Sequence, residues 1–191
     1  MSKPTTPAAE NLMAAATTDL TAARALAAEH RGTLYLDDRP EWQHLPFRGL
    51  LTVDLDDPAA LSAVGDVGVY RIEQRRIKPG KAQVFGLFPM IHAPDLSHDQ
   101  ADAHWRDKHG PLALEQHAHM TEYLQLNVLE TISGRSFDGI ALCGFANEDD
   151  LRHRFYSEPG GPEIIAADVQ RFADPKRSPR RLIASVERYQ A

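Results

Sequence analysis

Two stretches in opposite halves of the chain share one pattern, a strand that runs directly into a short helix. The first, residues 47–61, reads F-R-G-L-L-T-V-D-L-D-D-P-A-A-L, and the second, residues 137–151, reads F-D-G-I-A-L-C-G-F-A-N-E-D-D-L. Phe, Gly, an aliphatic residue and a closing Leu fall at the same offsets in both. Such internal similarity predicts two copies of one structural unit. Chance similarity between two strand–helix turns is the competing explanation.

The hydrophobic patterns around these stretches give the same order of elements twice: strand, helix, strand, strand, helix, strand. Pro79-Gly80 divides the chain into a shorter unit, residues 1–79, and a longer one, residues 80–191. A long irregular connection at residues 157–179 is predicted to cover the mouth of a pocket. The further predicted elements of the first unit are strands 10–16, 32–36 and 67–77 and an alanine-rich helix 18–30. Those of the second unit are strands 81–91, 122–131, 138–145 and 182–189 and helices 97–109 and 148–156.

The segment S-H-D-Q-A-D-A-H-W-R-D-K-H-G-P-L-A-L, residues 97–114, combines a helix start with candidate chemistry. Ser97 and Gln100 form a capping-box pattern. Trp105 and His109 are spaced i,i+4, so they share one helix face. The following Gly-Pro predicts that the helix ends immediately after His109. A histidine at that end of a helix dipole is expected to favour its protonated form.

With these motifs on residues 82–189, the chain resembles the EthD family. The similarity rests on W-R-D-K-H-G-P-L-A at residues 105–113, on Tyr123 with Gln125 and Asn127, and on F-D-G-I-A and N-E-D-D-L in the second repeat. That family belongs to the dimeric α+β barrels, which pair ferredoxin-like units face to face. The resemblance therefore implies an α+β fold: two tandem ferredoxin-like (βαββαβ) units forming an α+β barrel, with antiparallel sheets and the helices outside.

A tandem chain could close such a barrel within itself, because each sheet would cover the open face of the other. A homodimer also stays open as an alternative. We expect the first unit, which lacks W-x-x-x-H-G-P, to be a degenerate and mainly structural copy. The second unit is expected to carry the functional motif.

Three residues are the candidate catalytic groups. His109 could act as a general acid or base or anchor the substrate, or it could merely cap its helix. The resemblance favours the functional role, since the matching histidine belongs to the family motif. His92, where a strand runs out, is a second candidate, with an exposed loop histidine as the alternative. The hydroxyl of Tyr123 could polarise a carbonyl or phenol of the substrate.

Four further residues are candidate substrate contacts. Trp105 shares the face of His109. Gln125 and Asn127 follow Tyr123 on one face of a strand, where they could line a cavity or pack against the other sheet of a barrel. Asp138 could hold a histidine in one tautomer, or it could simply mark the turn before a strand.

No metal ion or cofactor is expected. His117 and His119 could supply a two-histidine, one-carboxylate metal site with Glu122 or His92, but the spacing is common and fixes no third ligand. Glycine-rich nucleotide loops and a G-x-S-x-G elbow do not occur in the sequence. The single cysteine, Cys143, lies in an apolar strand and is expected to be an inert core thiol.

Charge and composition limit the partners. The formal net charge of −6 argues against binding to nucleic acid or to an anionic membrane surface. The start of the chain lacks a signal-peptide core, and no apolar run reaches the length of a membrane span, so the expected location is the cytoplasm.

The resemblance implies a cofactor-independent enzyme that transfers protons on an aromatic, polyketide-like or lactone compound, of the isomerase, cyclase or lyase type, in a catabolic or secondary pathway. One alternative is a cofactor-free oxygenase. Another is a non-catalytic ligand-binding accessory protein. A haem-binding barrel is a more remote option.

Overall fold

The computed structural model describes residues 9–39 and 43–189 of the protein. Eight antiparallel strands form one closed barrel, in the order β1-β3-β2-β8-β5-β7-β6-β4. The strands are β1 Ala9–Thr17, β2 Thr33–Leu36, β3 Gly49–Val53, β4 Gly68–Lys78, β5 Val84–Met90, β6 Glu122–Gly134, β7 Gly139–Phe145 and β8 Leu182–Arg188. The helices are α1 Leu20–Glu29, α2 Ala59–Ser62, α3 His98–His104, α4 Gly110–Gln116, α5 Glu148–His153 and α6 Gly161–Val169, with a π-helical turn Trp105–His109 between α3 and α4.

Each half of the barrel has the ferredoxin-like strand order. The first four strands pair as β4-β1-β3-β2, and the last four pair as β8-β5-β7-β6, which is the same arrangement. The predicted fold class, two tandem ferredoxin-like units that form an α+β barrel, is confirmed. The division at residues 79 and 80, and the structural role of the first unit, stay predictions.

Two seams close the barrel between the halves. Long strands β4 and β6 pair along most of their length, with register shifts that mark irregularities in the ladder. On the opposite side β2 pairs with β8 through four residue pairs, Thr33↔Arg188 to Leu36↔Ser185. Closure of this kind leaves neither sheet with an unpaired edge.

The two faces of each strand contact different cores. On β6, Leu124, Leu126 and Val128 point into the barrel, where they join a cluster that includes Phe85 and Tyr70. The alternate residues of the same strand point outward, toward the helices of the second unit. On the outer face of the first unit's sheet, the alanines of α1 belong to a separate cluster, and the helix lies against β2 and β3.

The residues predicted to cap the starts of α1 and α3 do so. Asp19 caps α1 by accepting hydrogen bonds from the backbone N–H groups of Thr21 and Ala22, at 2.9 and 3.0 Å. Ser97 and Gln100 form the predicted capping box at the start of α3. Among the described residues, no helix is both long and apolar enough to cross a membrane.

The predicted helix stop after His109 is wrong. The chain continues through the π-helical turn into α4. In this wider turn the Gly110 N–H donates to the carbonyl of Trp105. Pro111, which has no N–H to donate, then sits in the first turn of α4, where proline is tolerated. Gly-Pro therefore marks an irregular turn within a longer helical segment.

The connection at residues 157–179, called the covering segment below, is also more regular than predicted. It contains α6, whose Pro162 lies at the helix start and whose Ile165 is buried. The glycines and prolines of this segment suggested a loop throughout. They flank the helix instead of interrupting it, as proline near a helix start commonly does.

Candidate active site

A cavity of about 360 Å³ lies outside the barrel, between the outer face of the second sheet and the helical segments that cross it. Its floor comes from β5, β6 and β7, one wall from the helical segment 105–117, and its roof from the covering segment. The prediction that this segment covers a pocket therefore agrees with the lining. Its lining includes Phe88, Met90, Trp105, His109, His117, Tyr123, Cys143, Phe155, Tyr156, Val169 and Phe172.

His109 is the central polar group of this cavity. The π-helical turn places its ring in the lining, and only 8% of the residue is exposed. Its Nδ1 lies 2.9 Å from Oδ2 of Asp168 on α6. The ring also packs against Phe172, with ring centroids 5.0 Å apart. The covering segment thus supplies both the polar and the apolar partner of this histidine.

Asp168 bridges two histidines. Its second oxygen, Oδ1, lies 2.9 Å from Nε2 of His104, one turn before His109 along the helix. Burial alone would raise the pKa of Asp168, but the hydrogen bonds from His104 and His109 outweigh it and lower that pKa. The carboxylate is therefore ionised and accepts, so His109 carries its proton on Nδ1 and leaves the Nε2 lone pair unprotonated.

The expected protonation of His109 is contradicted. Burial lowers the pKa of His109 below its ordinary value of 6.5, and the hydrogen bond to Asp168 opposes this only in part. The helix dipole does not favour the protonated ring here, because the helical segment does not end at this residue. A neutral imidazole with a carboxylate partner is the arrangement of a general base.

His117 is a second imidazole in the lining. Its Nδ1 donates to the backbone carbonyl of Phe155 at 2.7 Å, which fixes the proton on Nδ1. Burial lowers the pKa of His117 as well, so the ring is neutral at pH 7. The cavity therefore presents two imidazoles whose Nε2 atoms can accept a proton.

Tyr123 lies on the floor, 1% exposed. Its hydroxyl accepts hydrogen bonds from Nε1 of Trp105 and Nε2 of Gln125, both at 3.3 Å. Burial raises the pKa of Tyr123, so the hydroxyl keeps its proton. With both acceptor positions in use, that proton is available for donation to a molecule in the cavity.

The glycine of F-D-G has a packing role here. A Cβ on Gly139 would lie 2.6 Å from Cζ3 of Trp105 and 2.8 Å from Cε of Met90. Only a glycine lets the indole approach β7 this closely. Two sequence motifs that are far apart in the chain thus meet at one contact beside the cavity.

The structure brings three predicted site residues together in the lining: His109, Tyr123 and Trp105. Gln125 and Asn127 share the outer face but do not line the cavity. Gln125 instead positions the site, donating to the Trp105 carbonyl at 3.0 Å and to the Tyr123 hydroxyl. Asn127 is buried, and its Oδ1 has no partner among the described residues.

His92 and Asp138 lie together outside the cavity lining. Asp138 accepts a hydrogen bond from the His92 backbone N–H at 2.8 Å, and its Oδ1 lies 2.9 Å from His92 Nδ1. His98 Nδ1 lies 3.1 Å from the same oxygen. The carboxylate of Asp138 therefore lies between two histidines close to the start of α3, and its role at the site stays a prediction.

The other nucleophilic and metal-binding candidates have structural partners. Cys143 lines the cavity, and burial raises its pKa to about 12, so the thiol stays protonated. Glu122 accepts from the Ala82 N–H and pairs with Arg188. Within residues 9–39 and 43–189, no three His, Cys, Asp or Glu residues are grouped as metal ligands.

Sequence reasoning missed Asp168, His104 and the cavity role of His117. Asp168 lies in a segment predicted to be irregular, so no helical face signalled it. His104 is one residue before the motif tryptophan, and its spacing to His109 did not suggest a shared partner. His117 could have been predicted if the helix had been continued past Gly110, because the segment that carries His109 runs on directly to His117.

The fold and the cavity define the class of protein: a tandem α+β barrel of ferredoxin-like units with a pocket under the helices of one unit. Residues 93–176 match the family model of the EthD domain. The resemblance drawn from the motifs is thereby confirmed. No curated protein sequence matches the chain.

Two solved structures are similar. An anthrone oxidase-like protein aligns with a TM-score of 0.54 at 10% identity, covering 96% of this chain and 94% of that one. A candidate monooxygenase from Lactobacillus acidophilus NCFM aligns with a TM-score of 0.49 at 8% identity, covering 95% and 94%. At 10% identity, the first similarity shows the fold alone.

Proposed function

We propose that the cavity binds a small, uncharged aromatic compound. Its walls are largely aromatic, from Phe88, Trp105, Phe155 and Phe172, and its described lining holds no Arg, Lys, Asp or Glu. A charged group would lose its hydration there without an ionic partner, which is costly. The volume of about 360 Å³ suits a ligand of a few fused rings.

The proposed chemistry is proton transfer without a cofactor. His109 Nε2 removes a proton from a carbon next to a carbonyl group or conjugated with one through a ring, or from a phenol. The electron pair of the broken bond moves toward the oxygen, which becomes an enolate or phenolate and accepts a hydrogen bond from the Tyr123 hydroxyl. Return of the proton at another position completes an isomerisation. In a cyclisation the enolate carbon instead attacks a second carbonyl carbon of the same molecule, and the oxygen of that carbonyl takes up the proton. The observation that carries this proposal is the Asp168–His109 pair at the wall of an apolar cavity.

A second candidate is cofactor-free oxygenation, favoured by the similarity to an anthrone oxidase-like protein. An enolate formed by His109 is electron-rich and can reduce dioxygen directly. For anthrone the balance closes: anthrone and O₂ give anthraquinone and water. Both candidates begin with the same proton abstraction, so they differ only in the fate of the anion.

Anthrone therefore tests both candidates, because its C10 methylene is acidic and the molecule is uncharged. In D₂O without oxygen, the protein should accelerate deuterium incorporation at C10 above the buffer rate. His109→Ala should lose about 10²-fold or more of that acceleration. His119→Ala is the matched control, since His119 is exposed and lies outside the lining.

The outcomes separate the alternatives. Oxygen uptake with anthraquinone formation, in air, selects the oxygenase. Exchange without oxygen uptake selects simple proton transfer. Saturable binding of anthrone without exchange makes the protein a ligand-binding module. Equal exchange by the wild type and His109→Ala contradicts the role given to His109.

A further inference from the structure

A second cleft, of about 540 Å³, opens at one end of the barrel. It shares no lining residue with the candidate active site. The starts of β1, β2 and β6 meet there with the ends of β3, β4 and β8, so both units contribute. We propose that this cleft binds a small organic carboxylate with a short apolar body. Its lining includes Leu12, Tyr35, Arg76, Lys81, Leu124 and Arg188.

The first observation is an unpartnered hydroxyl. Tyr35 is 3% exposed and packs edge-on against Phe85 inside the barrel, with ring centroids 5.1 Å apart. No described residue hydrogen-bonds its hydroxyl, although the residue lines the cleft. The hydroxyl oxygen is not one of the enclosed polar atoms that lack a partner, so it opens into the cleft, where water or a ligand completes its hydrogen bonding. Burial also raises the pKa of Tyr35, so the hydroxyl is a donor.

The second observation is the charge around that hydroxyl. The carboxylate of Glu122 is already compensated, because it accepts from the Ala82 N–H at 3.0 Å and pairs with Arg188 at 3.1 Å. Arg76 has no ion-pair partner among the described residues and borders the cleft on the adjacent strand. Lys81 and Arg31 add positive charge at the rim, against the carboxylates of Glu10 and Asp54.

These groups fit a carboxylate better than a cation or a neutral polar ligand. A guanidinium and a phenolic O–H are both donors, and together they match the two oxygens of one carboxylate. Leu12, Leu124 and the ring of Tyr35 provide an apolar wall for the remainder of the ligand. A short aliphatic acid would place its charge near Arg76 and its chain toward the barrel interior.

The test is a titration of the ¹⁵N-labelled protein with hexanoate, followed by amide NMR shifts, beside hexanol and hexylamine. Hexanoate should shift the amide signals of Tyr35, Gln74 and Arg76 saturably. Hexanol and hexylamine, which lack the carboxylate, should bind at least about tenfold more weakly. Arg76→Gln and Tyr35→Phe should each weaken hexanoate about tenfold. Arg71→Gln, the same change on the same strand outside the cleft, should leave the Kd within about twofold.

Other results overturn the proposal. It fails if hexanoate gives no saturable shifts, if hexanol binds equally well, or if Tyr35→Phe and Arg76→Gln leave the Kd unchanged. Shifts confined to residues around His109 would assign the probe to the first cavity instead. Thermal unfolding provides a second check, since removing an unpartnered hydroxyl should not lower the Tm. A clear fall in Tm for Tyr35→Phe would show that the hydroxyl has a structural partner.

Discussion

At the scale of single residues, His109 shows how opposing influences set one protonation state. Burial disfavours the imidazolium, while the Asp168 carboxylate favours it, and burial prevails. The carboxylate still fixes which nitrogen carries the proton. A base with a depressed pKa stays neutral, and so competent, well into mildly acidic solution.

This predicts the pH dependence of the proposed exchange reaction. The rate should rise with pH through an apparent pKa below 6.5, since the neutral form of His109 is the active one. In Asp168→Asn that apparent pKa should move lower still, because the group that raises it has lost its charge. The maximal rate should also fall about 10- to 100-fold as the tautomer is no longer fixed.

The measurement is the initial rate of deuterium exchange at C10 of anthrone between pD 5 and 8, about the range over which a histidine titrates. Asp174→Asn serves as the control, since Asp174 contacts neither histidine. An acidic limb that moves upward in Asp168→Asn contradicts the assignment of this limb to His109.

Tyr123 gives a second prediction at this scale. In Tyr123→Phe the developing oxyanion loses a donor, so kcat should fall about 10²- to 10³-fold with a smaller change in KM. Tyr156→Phe, at another tyrosine of the lining, is the matched control and should stay within about threefold. Similar losses for both tyrosines would show that the hydroxyl of Tyr123 has no special part.

The sequence predicted the residues of the site that lie within one local motif or on one strand. Trp105 and His109 followed from helical spacing, and Tyr123 from strand alternation. Asp168 could not be predicted in this way, because its position depends on how the covering segment folds back over the sheet. The chain has many carboxylates, and no local sequence pattern around Asp168 indicates that it pairs with His109.

At the scale of elements, a buried ion pair links the two units. Arg75 on β4 donates two hydrogen bonds to the carboxylate of Asp102 on α3, both at 2.8 Å. Burial opposes the charge of Arg75, but Asp102 and Glu73 together raise its pKa. The helix that leads to His109 is thus anchored to a strand of the first unit.

Removing one partner of this pair should destabilise the fold. Asp102→Ala is expected to lower the free energy of unfolding by about 3 kcal/mol, because Arg75 stays buried with only Glu73 beside it. Asp99→Ala on the exposed side of α3 is the control. Urea unfolding measures both variants, and the double variant Arg75→Met/Asp102→Leu should recover part of the loss. A loss below about 0.5 kcal/mol for Asp102→Ala would mean that the pair contributes little.

The contact between Gly139 and Trp105 yields a prediction of steric origin. Gly139→Ala should displace the indole and cost about 1–3 kcal/mol, since its Cβ would lie 2.6 Å from the ring. The near-UV circular dichroism of the tryptophan should change as well. Gly160→Ala is the control, as its Cβ would meet no atom within 4 Å. Equal Tm values for the two variants would contradict the packing role of Gly139.

Elements with regular periodicity were predicted well, including all eight strands. The helix end after His109 and the loop at residues 157–179 were not, for a common reason. Glycine and proline restrict or free the backbone locally, but tertiary packing decides whether a helix continues past them. The apolar residues of α6 pack on a sheet that is distant in the sequence, so the local pattern alone could not reveal the helix.

At the scale of the whole molecule, stability should depend on pH in two stages. The buried imidazoles of His109 and His117 have pKa values below 6.5, so below that pH the unfolded chain binds more protons than the native one. Stability should therefore fall as the pH drops below 6.5. A further loss should follow below pH 3.8, where carboxylates with lowered pKa, such as Asp138 and Asp168, become protonated.

Thermal unfolding between about pH 3 and 8 tests this. The Tm should be nearly constant above pH 7 and decline below it, and His117→Gln should make the first decline shallower. His153→Gln, at an exposed histidine, should leave the profile unchanged. A first decline that His117→Gln does not reduce would assign it to other groups.

Closure of the barrel by a single polypeptide affects how the amino-acid sequence of such a protein can evolve. In a barrel of two identical chains, each substitution occurs twice, so an improvement on one side must be tolerated at its mirror position. Here the β4–β6 and β2–β8 seams join halves that are encoded separately. The sequence of each half can therefore change separately. Selection can alter the residues of one pocket while the residues that pack the other half stay the same.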